Sequence, residues 1–306
     1  MRLARSDDEA AILALINRVQ PHAPWTQAHY DWQFKHGPAG APILRVIDCE
    51  GLIAGFLAVS RRHVWVDGKI YDGFLMQDGM TDPTFRGRGF FNMLATALRD
   101  GLVGTDLVGL MFPNKHSENS FRRTGWTELM KVPLRVAHAQ GLTKDLSLLQ
   151  PVPAFNSDVL AIWKDAGFSV GVLRSPEYLN WRYGIPGATY YRFMIDGDAG
   201  FAVLKVYDRG GSRVVNLCDF VVRKGERGRI AEFLDEVHAF AQQHGAAEVQ
   251  ALVDARNPYA AAFEAKGFAL DLSQDRFIFT DGPADVLPRL SSASAWHISQ
   301  ADNDVY

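Results

Sequence analysis

Three passages of this 306-residue chain occur twice, in the same order and at a nearly constant separation. Asp78 recurs as Asp219, and Phe121 recurs as Phe263 at almost the same offset along the chain. The paired passages are 30–34 with 178–183, 77–88 with 218–229, and 114–126 with 257–268. A recurrence of this kind indicates a duplicated structural unit. The sequence therefore predicts two copies of one fold, and a chain of this length has room for two domains.

Each half alternates short β-rich segments with segments of helical periodicity, so each copy is predicted to be mixed α/β. In the first half, Ile12, Leu15 and Ile16 share one face of a helix that Ser6 caps. Four segments are predicted: a first domain at 1–140, a linker at 141–154, a degenerate second domain at 155–282 and a C-terminal tail at 283–306.

The predicted tail contains apolar residues followed by acidic ones. Trp296 and Ile298 favour a strand, and the carboxylates Asp302 and Asp304 follow them. We expect this segment to add an edge strand or to line a substrate site. A calcium loop is disfavoured, because the two carboxylates lack the glycine and the distant glutamate that such a loop needs.

The passage from Met80 to Phe91 joins the end of a predicted strand to the start of an amphipathic helix through a glycine-containing loop. Glycines let a backbone turn tightly and approach a ligand closely. The first N–H groups of a helix lack internal partners and carry the positive end of its dipole, which suits a phosphate. Arg86 and Arg88 would add charge-assisted hydrogen bonds. The alternative is an ordinary strand-to-helix turn with solvated arginines.

This loop resembles the acyl-CoA loop of the GNAT (GCN5-related N-acetyltransferase) superfamily. There, a strand ending in Val-x-Pro-x-Tyr/Phe precedes Arg/Gln-x-x-Gly-x-Gly/Ala. The corresponding residues here are Asp82-Pro83-Thr84-Phe85-Arg86-Gly87-Arg88-Gly89. The passage from Asn114 to Trp126 is similar to a second signature of the family. The resemblance extends over residues 1–135 and, more faintly, over 155–280.

The resemblance implies an α/β (α+β) chain with two tandem GNAT-like domains, each a mixed, mostly antiparallel twisted sheet flanked by helices. It implies acetyl-CoA or another acyl-CoA as co-substrate. The loop amides would hold the pyrophosphate, the preceding strand would pair with pantetheine and thioester, and Asn114 would contact the pantetheine arm. The implied cofactor-binding residues are Gly79, Met80, Thr81, Arg86, Gly87, Arg88, Gly89, Phe90, Asn114 and Phe121.

Two residues depart from the family pattern. Phe91 stands where the loop usually ends in glycine or alanine, so the helix start is expected to pack differently. Phe121 replaces the tyrosine that usually protonates the departing thiolate. Ser117, His116 or water could donate that proton instead. In the second copy Ile230 replaces the loop's second glycine, so we expect that copy to pack against the first and shape the acceptor cleft.

Acylation of an amine needs a group that accepts the amine's proton. Asp78, on the strand before the loop, is the candidate base, since GNAT proteins often place an acidic group there. The alternative is a structural aspartate, which its counterpart Asp219 favours. His63 and His116 are further candidates. The predicted catalytic residues are thus Asp78, Ser117 and His116.

The composition excludes several classes of function. The net charge of −3 and the isoelectric point of about 6.3 argue against nucleic-acid binding. No run of 18 apolar residues predicts a membrane span, no secretory signal is evident, and two cysteines suit neither a disulfide framework nor a zinc site. We expect a cytoplasmic protein without a metal cofactor. The oligomeric state is not indicated.

The leading hypothesis is an acyl-CoA-dependent N-acyltransferase that acts on a small amine such as an amino sugar or an amino acid. Direct attack of the amine on the thioester would draw on proximity for much of its acceleration. A CoA-binding or regulatory protein without catalysis is one alternative, which Phe121 and Phe263 favour. A transferase that uses aminoacyl-tRNA is another, but it would need a basic face.

Overall fold

The computed structural model describes residues 1–102, 105–114, 117–139 and 145–303. The chain divides into two compact units. The first unit comprises Met1–Val64, Ile70–Met130 and Phe277–Ser291, and the second comprises Trp65–Lys69, Lys131–Arg276 and Ser292–Tyr306. Neither unit is a contiguous segment of the chain.

The elements alternate between strands and short helices, as the sequence patterns predict. Those of the first half are β1 (Arg2–Leu3), α1 (Glu9–Val19), α2 (Gln27–Lys35), β2 (Ile43–Cys49), β3 (Leu52–Val66), β4 (Lys69–Thr81), α3 (Phe90–Asp100), β5 (Val108–Met111), α4 (Glu118–Arg123) and β6 (Thr127–His138). Those of the second half are β7 (Leu149–Pro151), α5 (Asp158–Asp165), β8 (Val170–Val172), α6 (Pro176–Arg182), β9 (Tyr191–Ile195), β10 (Gly200–Arg209), β11 (Ser212–Val222), α7 (Ile230–Gln243), β12 (Glu248–Leu252), α8 (Ala260–Ala265), β13 (Ala269–Asp281) and α9 (Leu287–Leu290).

The sheet of the first unit has the order β1-β2-β3-β4-β5, and the end of β13 follows β5. Strand β2 is antiparallel to β1 and β3, and β13 is antiparallel to β5. Strands β4 and β5 are parallel, along Gly73–Met76 and Val108–Met111. A parallel pair needs a crossover connection, and α3 supplies it.

The second unit repeats this arrangement with the order β7-β9-β10-β11-β12, and the end of β6 follows β12. Its parallel pair is β11 with β12, along Val214–Leu217 and Glu248–Ala251, and α7 supplies the crossover. The duplication indicated by the sequence is thus visible in topology. The predicted fold class, a mixed and mostly antiparallel sheet flanked by helices, is confirmed.

The strands that follow α4 and α8, which are β6 and β13, each end in the unit of the other half. In the first unit Phe279 pairs with Met111, although Phe279 lies in the second half of the sequence. In the second unit Leu134 pairs with Leu252, although Leu134 lies in the first half. The units therefore differ from the contiguous segments 1–140 and 155–282 expected from the repeat, because strand pairing depends on distant chain segments.

The first unit has a hydrophobic core on each face of its sheet. On one face, Leu57 and Met76 pack with Leu94 of α3 and Phe121 of α4. On the other, Phe56, Ala58 and Met80 pack with residues of α1 and α2, among them Ile12, Leu15, Ile16, Tyr30 and Phe34. The two faces alternate along β3, as the two-residue period of a strand requires.

The predicted C-terminal tail is divided between the two units instead of forming a separate segment. Residues 283–291, with α9, belong to the first unit, and residues from Ser292 onward belong to the second. Trp296 forms a single parallel bridge with Val170, and the amide of His297 donates to the Val170 carbonyl at 2.8 Å. Ser299–Asn303 is buried, and Asp304 lies outside the described residues.

Among the residues that the structure describes, no helix has the length and apolar character needed to cross a membrane.

Candidate functional site

Strand β4 changes phase at Asp78. Met76 faces the α3 side of the sheet and Met80 the α1 side, whereas regular alternation would put both on the same side. Gly79 faces α3, because a Cβ built on it would lie 2.6 Å from Cε2 of Phe91. The phase change coincides with a φ of +54° at Asp78, a left-handed conformation that residues other than glycine rarely adopt. Asp78 therefore sits on a bulge of the strand.

The bulge lies where β4 and β5 stop pairing. The parallel register ends at Met76 with Met111, yet β4 continues to Thr81. The amide of Asp82 donates to the carbonyl of Ala54 at 2.9 Å, so the end of β4 stays with β3. Beyond Asp78, the backbone groups on the edge of β4 that faced β5 therefore do not pair with β5. Because backbone hydrogen-bonding groups need partners, this edge can pair with a ligand.

The unusual Phe91 is matched by a glycine on the facing strand. Any side chain at Gly79 would meet Phe91 Cε2 at 2.6 Å and Leu57 Cδ1 at 2.9 Å. The Phe91 ring also lies edge-on to Phe121, with 5.7 Å between centroids. The sequence predicted altered packing at the start of the helix. In the structure, the Phe91 ring occupies the space that a side chain at position 79 would take.

Asp82 anchors the loop that follows β4. Its Oδ1 accepts hydrogen bonds from the amide and the hydroxyl of Thr84, at 2.9 and 2.7 Å, and its Oδ2 accepts from Arg18 Nε at 3.1 Å. The Thr84 hydrogen bonds lower the pKa of Asp82, partial desolvation opposes them, and the Arg18 guanidinium adds to the lowering. Asp82 therefore ties the loop to α1 as a carboxylate.

The two glycines of the loop have backbone conformations that disfavour side chains. Gly87 has φ +80° and Gly89 has φ +76°, and nothing lies within 4 Å of the Cβ position of either among the described residues. Gly89 is the N-cap of α3 and cannot cap the helix with a side chain. Arg86 and Arg88 are exposed on either side of Gly87, and the Arg88 guanidinium lies 4.9 Å from the Phe85 ring. The loop thus presents open space, α3 backbone amides and two cations.

Phe90 begins α3 and is partly buried, stacked on Phe85 with 6.1 Å between ring centroids. Thr81 is partly buried at the end of β4, and Met80 is buried in the core against α1. Only the backbone of Met80 can therefore meet a ligand on the α3 side. The role of the backbone of residues 79–81 in ligand binding stays a prediction.

Asn114 and Ser117 form a reciprocal cap at the start of α4. The Ser117 amide donates to Asn114 Oδ1 at 3.1 Å, and the Asn114 amide donates to Ser117 Oγ at 3.1 Å. The Ser117 hydroxyl is also within 3.2 Å of Asn114 Oδ1. Both predicted site residues are therefore engaged in shaping the turn after β5. His116, the other proton-donor candidate there, lies outside the described residues.

Phe121 lies in the core instead of lining an open surface. It is 3% exposed and packs against Phe279, with 6.0 Å between ring centroids. Phenylalanine has no proton to give, and this ring supplies packing to the face of the sheet that carries α3 and α4. His63 lies on β3 with Nδ1 3.4 Å from Asp72 Oδ1. Since Asp72 precedes Asp78 by six strand residues, about 20 Å, His63 is remote from the bulge.

In the second unit, β11 continues to Val222 beyond the last residue that pairs with β12, Leu217, and the gap beside this end of the strand is filled. The hydroxyl of Tyr259 accepts from the amide of Val222 at 2.9 Å and donates to its carbonyl at 3.0 Å. Val222 is the counterpart of Thr81 in the repeat, so the hydroxyl satisfies strand groups at the position where the first copy's motif would meet a ligand. The remaining cavity measures about 10 Å³, space for one water molecule. Its lining includes Leu217, Phe220, Asn257, Tyr259, Ile298 and Ser299.

The aspartates of the two copies have different surroundings. Asp219 is fully buried, and it accepts from Arg174 Nε at 2.7 Å and from Ser299 Oγ at 3.1 Å. Arg174 also binds both carboxylate oxygens of Asp302, at 2.6 and 2.9 Å. Burial alone would raise the pKa of Asp219, but the charge of Arg174 lowers it below its ordinary value. Asp78, by contrast, is only partly buried.

The structure brings most predicted site residues to one end of the β4–β5 pair. Asp78 and Gly79–Thr81 follow the end of pairing on β4, Asn114 and Ser117 follow it on β5, and the loop of Arg86–Gly89 continues from β4. Phe121 lies behind this end in the core. Sequence reasoning missed Tyr259, which fills the gap of the second unit, and Arg174, which holds Asp219. Their buried partners are distant in sequence, so no local pattern marked them.

The sequence matches no protein-family model and no curated protein. The structure is similar to a GCN5-related N-acetyltransferase from Anabaena variabilis, with a TM-score of 0.68 and 14% identity over 91% of this chain and 71% of that one. It is similar to Eis1 from Mycobacterium abscessus, with a TM-score of 0.63 and 14% identity over 95% and 75% of the chains. It is also similar to N-myristoyltransferase from Saccharomyces cerevisiae, solved with bound myristoyl-CoA, with a TM-score of 0.61 and 9% identity over 91% and 76%.

These similarities extend over nearly the whole chain and include both copies. The chain therefore has the fold of the GCN5-related N-acetyltransferase (GNAT) superfamily.

Proposed function

We propose that this protein is an acyl-CoA-dependent N-acyltransferase whose first unit holds the acyl donor, with acetyl-CoA as the expected donor. One observation carries the proposal. Beyond Asp78, β4 no longer pairs with β5, and the strand continues directly into a loop. The two glycines of this loop have positive φ and open space at their Cβ positions. Extended backbone suits a pantetheine arm, and the loop with the start of α3 suits a pyrophosphate.

The residues have distinct roles in this proposal. The backbone of Gly79–Thr81 pairs with the pantetheine arm, and Arg86 and Arg88 add charge-assisted hydrogen bonds to the phosphates. Asn114 and Ser117 shape the opposite side of the opening through the α4 cap. Asp82 fixes the loop to α1 and does not touch the donor.

The reaction we propose is direct transfer. The nitrogen of a small primary amine attacks the thioester carbonyl carbon, the carbon–sulfur bond breaks, and the CoA thiolate leaves. Asp78 accepts the proton that the nitrogen loses. Since Phe121 has no proton to give, the thiolate takes its proton from water or from a neighbour such as Ser117. Holding both reactants in one opening supplies much of the rate acceleration.

Calorimetric titration of acetyl-CoA tests where the donor binds. We expect one site in the wild type, no binding in Gly89→Trp and unchanged binding in Gly228→Trp. Both glycines have open space at the Cβ position, so Gly228→Trp is the control in the second copy, although only Gly89 has a positive φ that a side chain would strain. Circular dichroism checks that each variant folds. Absence of binding in the wild type, or loss of binding only in Gly228→Trp, would contradict the proposal.

A binding protein without turnover is the second candidate, because the usual thiolate acid is replaced by the buried Phe121. The two functions differ in one measurement, release of free CoA thiol from acetyl-CoA in the presence of amines. Release that depends on the amine and falls at least tenfold in Asp78→Asn supports the transferase. Tight acetyl-CoA binding without release supports the binding protein.

A further inference from the structure

A buried glutamine stands next to the proposed base. Gln77 immediately precedes Asp78 on β4 and is 5% exposed. Because Met76 faces α3, the alternation of the strand directs Gln77 to the opposite face, which carries α1 and α2. Ser60 on β3 is buried on that face within reach of Gln33 of α2, at 3.5 Å. The first unit thus has a buried polar region beside its bulge.

The orientation of the Gln77 amide is determined by Asp78. Gln77 Nε2 donates to Asp78 Oδ2 at 3.2 Å. A carboxylate accepts hydrogen bonds and repels a carbonyl oxygen, so the amide cannot be flipped. The nitrogen end of the side chain therefore faces the proposed base, and the oxygen end is left for a different donor.

The oxygen end of the amide is unsatisfied. Gln77 Oε1 is buried and has no hydrogen-bond partner among the described residues. Burying a carbonyl oxygen without a donor costs about 1–3 kcal/mol. Native interiors seldom leave such an atom unpaired unless a ligand or a water molecule completes it. The missing partner must be a donor, such as an N–H group.

We propose that Gln77 positions the acceptor amine, with its Oε1 accepting one N–H of the amine while Asp78 accepts the proton lost on acylation. This inference rests on the proposed function and adds a positioning residue for its acceptor amine. A neutral primary amine has two N–H groups, one for Gln77 and one for Asp78. A secondary amine has a single N–H and leaves one of the two oxygens unpaired. The nitrogen gains the acyl carbon, loses one proton to Asp78, and the thiolate departs.

The second copy lacks a glutamine beside its aspartate. Cys218 is the counterpart of Gln77 in the repeat and is the residue that the register between β10 and β11 skips. Its buried thiol is a weak hydrogen-bonding group, and the neighbouring Asp219 is held by Arg174 at 2.7 Å. The glutamine beside a partly exposed aspartate is thus specific to the copy that also has the glycine loop.

The test compares primary amines with their N-methyl derivatives. The probes are glucosamine with N-methylglucosamine and glycine with N-methylglycine, each with acetyl-CoA, and kcat/KM is measured by release of CoA thiol. We expect the wild type to prefer the primary amine more than about tenfold. Gln77→Met should lose about tenfold on the primary amine and little on the N-methyl amine. Gln33→Met, another buried glutamine of the same unit, should keep the wild-type preference.

The outcomes separate the inference from the proposed function. An equal loss on both amines in Gln77→Met, or an unchanged preference, would show that Gln77 has only a structural role, and the proposed transferase would stand. Failure of the wild type to acylate any probe, in spite of acetyl-CoA binding, would overturn both. Thermal unfolding checks that Gln77→Met and Gln33→Met both fold, since Gln77→Met also removes the hydrogen bond that Gln77 Nε2 donates to Asp78.

Discussion

A repeated residue takes on different roles when its neighbours differ. Asp78 and Asp219 occupy equivalent positions of the two copies, but only Asp219 lies at full burial against an arginine. Arg174 forms ion pairs with both Asp219 and Asp302, so its removal would leave two buried carboxylates without this cationic partner. The identity of the aspartate thus does not determine its chemistry, whereas the surrounding charges do.

Replacing Arg174 should destabilise the second unit strongly. We expect Arg174→Met to lower the free energy of unfolding by about 3–5 kcal/mol, since it leaves buried charges uncompensated. Arg213→Met is the control, because Arg213 forms an exposed pair with Asp208 at 3.2 Å and should change stability by less than about 1 kcal/mol. Urea unfolding measures both variants. Similar losses in the two would contradict the assignment.

Asp8 should make stability depend on acidic pH. Hydrogen bonds from the Arg2 guanidinium, at 2.5 and 2.8 Å, lower the pKa of Asp8 from 3.8 to about 2 against its desolvation. Because the folded pKa is the lower one, the stabilisation is present above pH 4 and is lost as the pH falls toward 2. Urea unfolding at pH 6 and pH 3 should show Asp8→Asn losing less with acid than the wild type. Parallel losses would contradict this linkage.

At the scale of elements, a large side chain at the start of α3 packs against a residue of β4 that has no side chain. The superfamily pattern has a small residue where this chain has Phe91, and β4 has Gly79 facing that ring. A large helix residue is tolerated because the strand residue has no side chain. The departure seen in the sequence is therefore accommodated by packing and leaves the loop geometry of Gly87 and Gly89 intact.

Gly79 and Phe91 should be energetically coupled. We expect Gly79→Ala to cost about 1–3 kcal/mol through overpacking, and most of that cost should vanish when Phe91 is replaced by alanine. A double-mutant cycle by urea unfolding should give a coupling energy of about 1 kcal/mol or more. Gly228→Ala, with nothing described within 4 Å of its Cβ position, is the control and should change stability little. Additive effects of the two replacements would be inconsistent with the contact.

At the scale of the whole molecule, each compact unit is completed by a strand from the other half of the sequence. Phe279 is fully buried in the core that includes Phe121 and Met111. The first unit therefore depends on a segment that the chain reaches only after passing through the second unit. The two copies should fold less independently than a simple tandem repeat.

A fragment that ends within the first half should not fold by itself. We expect residues 1–130 alone to lack a cooperative urea transition, because β5 has lost its β13 partner and the core lacks Phe279. The same fragment joined through a flexible Gly/Ser linker to residues 277–291 should regain cooperative unfolding. Circular dichroism and urea titration compare the two. A cooperative transition in the shorter fragment would show that the exchanged strand is dispensable.

The sequence by itself determined what depends on local pattern. The repeated passages predicted two copies, the periodicities predicted mixed α/β units, and the loop of Arg86–Gly89 predicted a tight strand-to-helix turn, in which both glycines have positive φ. These signals lie in neighbouring residues, because turn conformation and amphipathic periodicity are properties of short segments.

Only the tertiary structure decided which strand completes each unit, how Asp78 leaves the sheet alternation, and how Tyr259 closes the gap in the second copy. Each depends on residues far apart in the chain: Phe279 with Met111, or Tyr259 with Val222. The physical reason is that burial and strand pairing are satisfied by whichever groups the folded chain brings together, and their free energy does not depend on sequence separation once the loops are closed.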